Sequence, residues 1–256
     1  MAKKEKITSR SLISSKQSKK KIAMLTAYDS LMASVLDESG IDVILVGDSL
    51  GDVMLGYRNT LPVTMTEMII HVQAVSRVVT HALVVADMPF GSFQHDSDLA
   101  VKNAIDLVKA GGEAVKVEGV GYVETIKQII KAGIPVMGHL GFTPQSVNLL
   151  GYKIHGRDKK GGNKLLKEAK TLEKAGCFAI VLELVDPETA KKISKALKIP
   201  VIGIGSGDSC DGQVLVTYDM LGMYPNPPGF VKKYANLREV IKLAVKKYIG
   251  EIKCKL

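Results

Sequence analysis

The chain has 256 residues, 46% of them hydrophobic and none of them tryptophan, and Lys plus Arg outnumber Asp plus Glu by 35 to 26. That length and apolar content support one substantial aliphatic core, as parallel strands covered by helices require. The basic balance does not single out nucleic acid, because lysines such as Lys191, Lys192, Lys195 and Lys198 are scattered over helices and no basic run is interleaved with aromatics.

No apolar run is long enough to span a bilayer, and no apolar segment follows the charged N-terminus as it would in a signal peptide, so no membrane partner is expected. Cys177, Cys210 and Cys254 fit no metal-binding or redox spacing, and so sparse and odd a set points to a reducing compartment, the cytoplasm.

Residues 1–20 read as a basic N-terminal extension, closing on Lys19-Lys20-Lys21. Short β-branched runs then recur along the chain and predict strands at 22–29, 43–49, 83–90, 114–119, 134–141, 179–185, 201–207 and 213–221. Between the second and third, Met68, Ile69, Val72, Val75 and Val79 repeat with helical period behind a capping box, Thr64-x-x-Glu67. Several helices are predicted to stop on a glycine just before the next strand, as at Gly40, Gly111, Gly133 and Gly176. The last helix carries Leu237, Val240, Ile241, Ala244, Val245 and Tyr248 at the spacing of a helix packed on one face. Eight strand–helix units without a linker predict a single α/β domain over 1–256. A closed (β/α)₈ TIM barrel is the simplest fit, and an open doubly wound sheet is the alternative.

Most of these strands carry a costly polar residue near the C-terminal end. They are Asp48-Ser49 on the second, Asp87 on the third, Lys116 and Glu118 on the fourth, His139 on the fifth and Glu183 on the sixth. Charges on apolar strands are unfavourable unless they pair, bind a metal or meet a ligand. In a barrel they converge at the rim where active sites sit. Oxygen ligands without a cysteine–histidine pattern favour a hard cation, Mg²⁺ before Zn²⁺. Lys116 suits a substrate carboxylate, and Glu183 is a candidate general base.

Seven stretches resemble the ketopantoate hydroxymethyltransferase family. They are Met24-Leu-Thr-Ala-Tyr-Asp29, Val46-Gly-Asp-Ser-Leu-Gly51, Thr60-Leu-Pro-Val-Thr64, Asp87-Met-Pro-Phe-Gly-Ser92, Ala114-Val-Lys-Val-Glu-Gly119, Gly138-His-Leu-Gly-Phe-Thr-Pro-Gln-Ser146 and Cys210-Asp-Gly-Gln-Val-Leu-Val216. The resemblance implies a barrel of the phosphoenolpyruvate-mutase type and a homo-oligomer, usually a decamer. It implies Mg²⁺ at Asp48 and Asp87 with Glu118 beside it, a 2-oxo acid that chelates the metal and contacts Ser49 and Lys116, and Glu183 as catalytic base. His139 is expected to orient water or the metal shell. The implied reaction moves a hydroxymethyl group from 5,10-methylenetetrahydrofolate to 3-methyl-2-oxobutanoate, giving 2-dehydropantoate on the route to pantothenate and coenzyme A. The chain departs from the family pattern at Asp186, Ser206 and Pro228-Gly229-Phe230, none of them a proposed metal or base position.

Gly47-Asp48-Ser49-Leu50 is also the tetrad of a serine esterase family, but the Asp-x-x-His pair that such an enzyme needs is absent. Another Mg²⁺-dependent 2-oxo-acid lyase or mutase on the same barrel is the main alternative. Its isocitrate-lyase branch uses a cysteine beside Gly-His, and no cysteine here has that neighbour.

Overall fold

The computed structural model describes residues 5–224 and 227–253, so Cys254 lies outside the described residues. The chain divides into two compact units, Met1–Val214 and Leu215–Leu256. The strands β1 (Ile22–Thr26), β2 (Val43–Val46), β3 (Leu83–Asp87), β4 (Ala114–Glu118), β5 (Val136–Gly141), β6 (Ala179–Glu183), β7 (Val201–Ile204) and β8 (Gly212–Leu215) form a closed barrel in sequence order. All the ladders between consecutive strands are parallel. The closed (β/α)₈ architecture is therefore realised, and the open sheet is not.

Helices α2 (Ser30–Ser39), α4 (Met65–Ser76), α5 (Ser97–Lys109), α6 (Val123–Lys131), α8 (Lys159–Ala175) and α9 (Pro187–Ala196) alternate with the strands, with short α3 (Leu50–Val53) and α7 (Val147–Leu150) in the loops. The capping box forms as predicted, Thr64 Oγ1 accepting from Glu67 N and Glu67 accepting from Thr64 N. Gly40 and Gly176 end α2 and α8 in the left-handed conformation, which is open to glycine at little cost. Met68, Val72 and Val75 supply the buried stripe of α4.

Inside the barrel, Ile22, Met24, Val43, Leu45, Leu83, Val85, Ala114, Met137, Ala179, Val181, Ile202 and Val214 pack as one core. Leu12 joins them from α1 (Ser9–Gln17), which the sequence reading treats only as a basic extension. Two of its neighbouring lysines have structural partners. Lys16 Nζ donates to Asp211 Oδ2 and to the Ser194 carbonyl, both at 2.7 Å, and Lys6 Nζ lies 2.8 Å from Glu113. The N-terminal stretch is thus a helix stapled to the barrel by an apolar anchor and two ion pairs.

Two expectations fail. The predicted strand 213–221 stops at Leu215, and Thr217–Met220 form α10 instead. Thr217 is buried and Asp219 sits in the first turn, where the helix dipole favours an acid, so local chemistry overrides the apolar run. In the second unit, α11 (Leu237–Lys253) forms over the predicted stripe, yet none of its residues is buried. A unit of this size has too little apolar surface of its own to cover such a helix.

Candidate active site

Side chains on a strand alternate between faces, so the inward parity of the core extends to the polar residues. Val85 points inward and so does Asp87. Ala114 is followed at the same parity by Lys116 and Glu118, Met137 by His139, and Val181 by Glu183. Register then sets their heights, for Asp87 lies opposite Lys116 and Glu118 opposite His139. The barrel thus fixes a polar layer at the C-terminal mouth, directly above an apolar one. Asp48, Asp87, Lys116, Glu118 and His139 are each no more than 5% exposed. The Glu183 side chain, at 18%, opens towards the mouth.

Lys116 Nζ stands 2.8 Å from Asp87 Oδ1 and 3.7 Å from Glu118 Oε1. His139 Nδ1 is 3.1 Å from Glu118 Oε1, while its Nε2 faces Glu183 Oε2 at 3.3 Å without the alignment of a hydrogen bond. His139 therefore bridges two carboxylates. The Asp48 backbone N–H donates to Asp87 Oδ2 at 3.0 Å, which brings both aspartates to one side of the mouth. Gly47 leaves room for these groups, since a Cβ there would lie 2.9 Å from Ser49 Oγ and 3.4 Å from Asp87 Oδ2. Ser49 Oγ shares a 2.8 Å hydrogen bond with the buried Tyr28 hydroxyl.

All the residues singled out in the sequence converge here. Two others were not singled out, although both lie within the motifs quoted for the resemblance. Gln145 donates Nε2–H to Asp48 Oδ2 at 2.8 Å and to the Met88 carbonyl at 2.9 Å, and its backbone N–H donates to Glu118 Oε2 at 3.0 Å. Tyr28 holds Ser49. On the far side, Leu184 follows Glu183 with φ +48, a left-handed conformation that strains a leucine. Ser206 braces this turn, its Oγ accepting from Val185 N and donating to the Leu182 carbonyl. Asp186 accepts from Thr189 N as the N-cap of α9. Two departures from the family pattern thus have local structural work.

Burial, then repulsion from Asp87 and Glu118, holds the Asp48 carboxyl well above its usual range. Burial opposes the Lys116 charge, but Asp87, Glu118 and Asp48 outweigh it and raise the ammonium pKa. Burial raises the Glu118 pKa less than His139, Lys116 and the Gln145 N–H lower it. His139 is driven down by burial and Lys116, yet Glu118 and Glu183 lift it to about 9. Four carboxyl groups and two basic groups thus share the mouth. Among the described residues no three His, Cys, Asp or Glu side chains form a complete metal cage. The arrangement nevertheless fits a hard divalent cation, which binds through one or two carboxylates and keeps open positions. Asp87 Oδ1 has the Lys116 ammonium 2.8 Å away, and the carboxyl groups of the mouth outnumber its basic groups.

A family model described as ketopantoate hydroxymethyltransferase matches residues 6–255. The chain belongs to the ketopantoate hydroxymethyltransferase family. A 3-methyl-2-oxobutanoate hydroxymethyltransferase of Caldicellulosiruptor bescii is 53% identical over 97% of this chain and 95% of its own length. One of Pseudothermotoga lettingae is 55% identical over 93% and 91%. Among solved structures, phosphoenolpyruvate phosphomutase from Streptomyces platensis subsp. rosaceus aligns with a TM-score of 0.67 at 14% identity, covering 97% of this chain and 88% of the other. A 2,3-dimethylmalate lyase aligns at 0.61 and 14%, covering 96% and 87%. These likenesses show the fold, a (β/α)₈ barrel.

Proposed function

We propose that the chain transfers a hydroxymethyl group from 5,10-methylenetetrahydrofolate to 3-methyl-2-oxobutanoate, giving 2-dehydropantoate for pantothenate and coenzyme A synthesis, with Mg²⁺ held by Asp48 and Asp87 and Glu118 beside it. The observation that carries the metal assignment is the buried excess of carboxylate at the barrel mouth. When bound, the cation supplies Lewis acidity towards a chelating 2-oxo acid.

The chain's own groups do the rest. Lys116, a buried point charge, takes the substrate carboxylate, and the Ser49 hydroxyl, oriented by Tyr28, gives it a second donor. Glu183 is the most open of the carboxylates and removes the proton from C3. The carbon nucleophile so formed makes the new carbon–carbon bond to the one-carbon unit, and water supplies the hydroxyl oxygen. The carbon–nitrogen bonds to the folate break, so that tetrahydrofolate leaves with its nitrogens reprotonated. His139, fixed by Glu118, holds Glu183 in place. The family resemblance also supports a homo-oligomer. Residence in the cytoplasm is supported by Cys177 and Cys210, which are free, buried thiols pushed up to about 12 and about 11, chiefly by burial. No described helix is long and apolar enough to cross a membrane.

Proton NMR of 3-methyl-2-oxobutanoate in D₂O tests this reading. The C3 proton signal should vanish in the presence of the protein and Mg²⁺, persist with a chelator, and give way to a hydroxymethyl resonance when methylenetetrahydrofolate is added. Glu183→Gln should slow the exchange by about 10²-fold or more, the scale of general base catalysis. Exchange at the normal rate in that variant would remove Glu183 from its role. Absence of both signals with the intact protein would turn attention to 2-oxo-acid lyase or mutase chemistry.

A further inference from the structure

Beside the polar layer lies a cavity of about 330 Å³ that shares Glu118 with it and none of Asp48, Asp87, Lys116, His139 and Glu183. It begins at Glu118 and Gly119 and runs between the loop before α6 and the N-terminal half of α8, with Tyr122, His155, Lys164 and Glu168 in its wall. Its volume falls at the lower end of the range of small-molecule pockets, about 300–1,000 Å³. Three features of its lining point to a ligand.

The first is Glu168. Its side chain is only 20% exposed, and its ion-pair partner among the described residues is Lys164, at 3.8 Å. Burial raises its carboxyl pKa, with Lys164 opposing. A partly desolvated carboxylate whose partner is one mostly exposed lysine keeps acceptor capacity for a planar group presenting two parallel N–H donors. The second is His155, whose Nε2 is buried and has no hydrogen-bond partner among the described residues. Its backbone pairs with the strand end that carries Glu183, donating to the Leu184 carbonyl at 2.8 Å and accepting from Asp186 N at 2.8 Å. The pocket wall and the candidate base are therefore joined by backbone. The same loop carries Tyr152, which stands edge-on to Phe142 at 4.9 Å and close enough to Glu183 to feel its charge. The third is the rim. Residues 153–174 hold eight Lys and Arg against three Asp and Glu, and Lys153, Arg157, Lys160 and Lys164 are exposed at the end nearest His155.

A reduced folate has matching chemistry. Its 2-amino-4-oxopyrimidine edge offers an amino and a ring N–H side by side with a carbonyl acceptor, its bicyclic ring is flat, and its tail ends in carboxylates. We propose that this cavity seats the folate co-substrate, with the pyrimidine edge on Glu168 and His155 and the glutamate tail directed to the cationic rim. The inference rests on the transferase reading above. It goes beyond that reading by assigning residues to the second substrate and by placing that substrate on the α6–α8 side of the mouth.

The test is calorimetric titration of the Mg²⁺-loaded protein, with the oxo acid present, by tetrahydrofolate and its triglutamate, for the unaltered chain, Glu168→Gln and Lys164→Ala. Glu168→Gln should weaken tetrahydrofolate about tenfold to a hundredfold, the loss expected for a hydrogen-bonded pair with a charged acceptor, with a matching rise in its KM and less than a twofold change in that of the oxo acid. Lys164→Ala should cost the triglutamate more than the monoglutamate, and added salt should narrow that difference. Unchanged folate affinity in Glu168→Gln overturns the proposal. Equal losses for folate and oxo acid also overturn it, because the cavity would then act only through the common scaffold. Exchange at C3 separates this outcome from failure of the parent reading. If the unaltered chain exchanges the C3 proton but binds no folate, the pocket assignment falls and the enolising site stands. If it does neither, the transferase reading falls first.

Discussion

Asp48 is the least comfortable carboxylate of the mouth, being buried and facing both Asp87 and Glu118. A cation bound there should relieve that repulsion and so stabilise the fold as well as serve the reaction. Mg²⁺ at about one hundred times its Kd is expected to add about 2.7 kcal/mol to unfolding stability, since it binds the folded chain alone. Asp48→Asn should be at least as stable as the unaltered chain without metal and lose most of the metal-induced rise in Tm. An undiminished rise in that variant would move the metal away from Asp48. Gln145 offers a second probe, because it reaches Asp48 through its side chain and Glu118 through its backbone. Gln145→Ala removes only the first contact and should weaken Mg²⁺ binding about 10- to 100-fold by titration, the usual scale for groups that orient metal ligands. An unaltered Kd would make Gln145 a packing residue. The two cases also mark what the sequence can disclose. Asp87, Lys116, Glu118, His139 and Glu183 were legible because a charge on an apolar strand is conspicuous and strand parity tells where it points. Gln145 and Tyr28 sit in loops, where a polar residue is ordinary. Their importance depends on Asp48 and Ser49, from which 97 and 21 residues of chain separate them.

At the scale of elements, Asp37 does for the connection into β3 what the capping boxes do for the helices. From the end of α2 its carboxylate accepts from the backbone N–H groups of Thr80, His81 and Ala82, fixing the approach to the strand that carries Asp87. Burial works to raise its pKa, but these hydrogen bonds prevail and hold it below the ordinary value. Its contribution is thus fully present above the unfolded-state pKa of about 3.9 and is lost as pH falls through the lower folded-state value. Asp37→Ala leaves those N–H groups unpaired and should cost about 2–3 kcal/mol near pH 7 by urea denaturation. The gap between variant and unaltered chain should shrink below about pH 4. A gap independent of pH would mean that the carboxylate charge contributes nothing. Periodicity made the repeat of strand and helix readable, together with helix stops such as Gly40 and Gly176. It did not make α1 readable, because one buried leucine among serines and lysines leaves no stripe. It also misjudged residues 217–220, an apolar-flanked segment too short for a period to decide.

At the scale of the whole molecule, the eight-unit pattern revealed the barrel, and what it left unaccounted for is apolar surface. On α11, Val240 is 60% exposed, Leu243 65% and Ile252 54%, while Leu31 and Leu149 elsewhere exceed 80%. Single exposed aliphatics are common, but so many on one helix expose more apolar surface than a lone soluble chain ordinarily tolerates. The excess of basic over acidic residues opposes random association, so contact between copies must gain enough apolar burial to overcome like-charge repulsion. We therefore expect a closed homo-oligomer, the decamer that the family resemblance implies, whose mass by light scattering is a multiple of 27.6 kDa. Raising salt should leave it intact, since apolar burial would hold it and screening would only weaken the repulsion. Val240→Lys with Leu243→Lys adds charge where burial is needed and should shift the distribution towards smaller species. A particle of 27.6 kDa at micromolar concentration would refute association altogether, and an oligomer unchanged by the double substitution would assign the contact to a face other than α11.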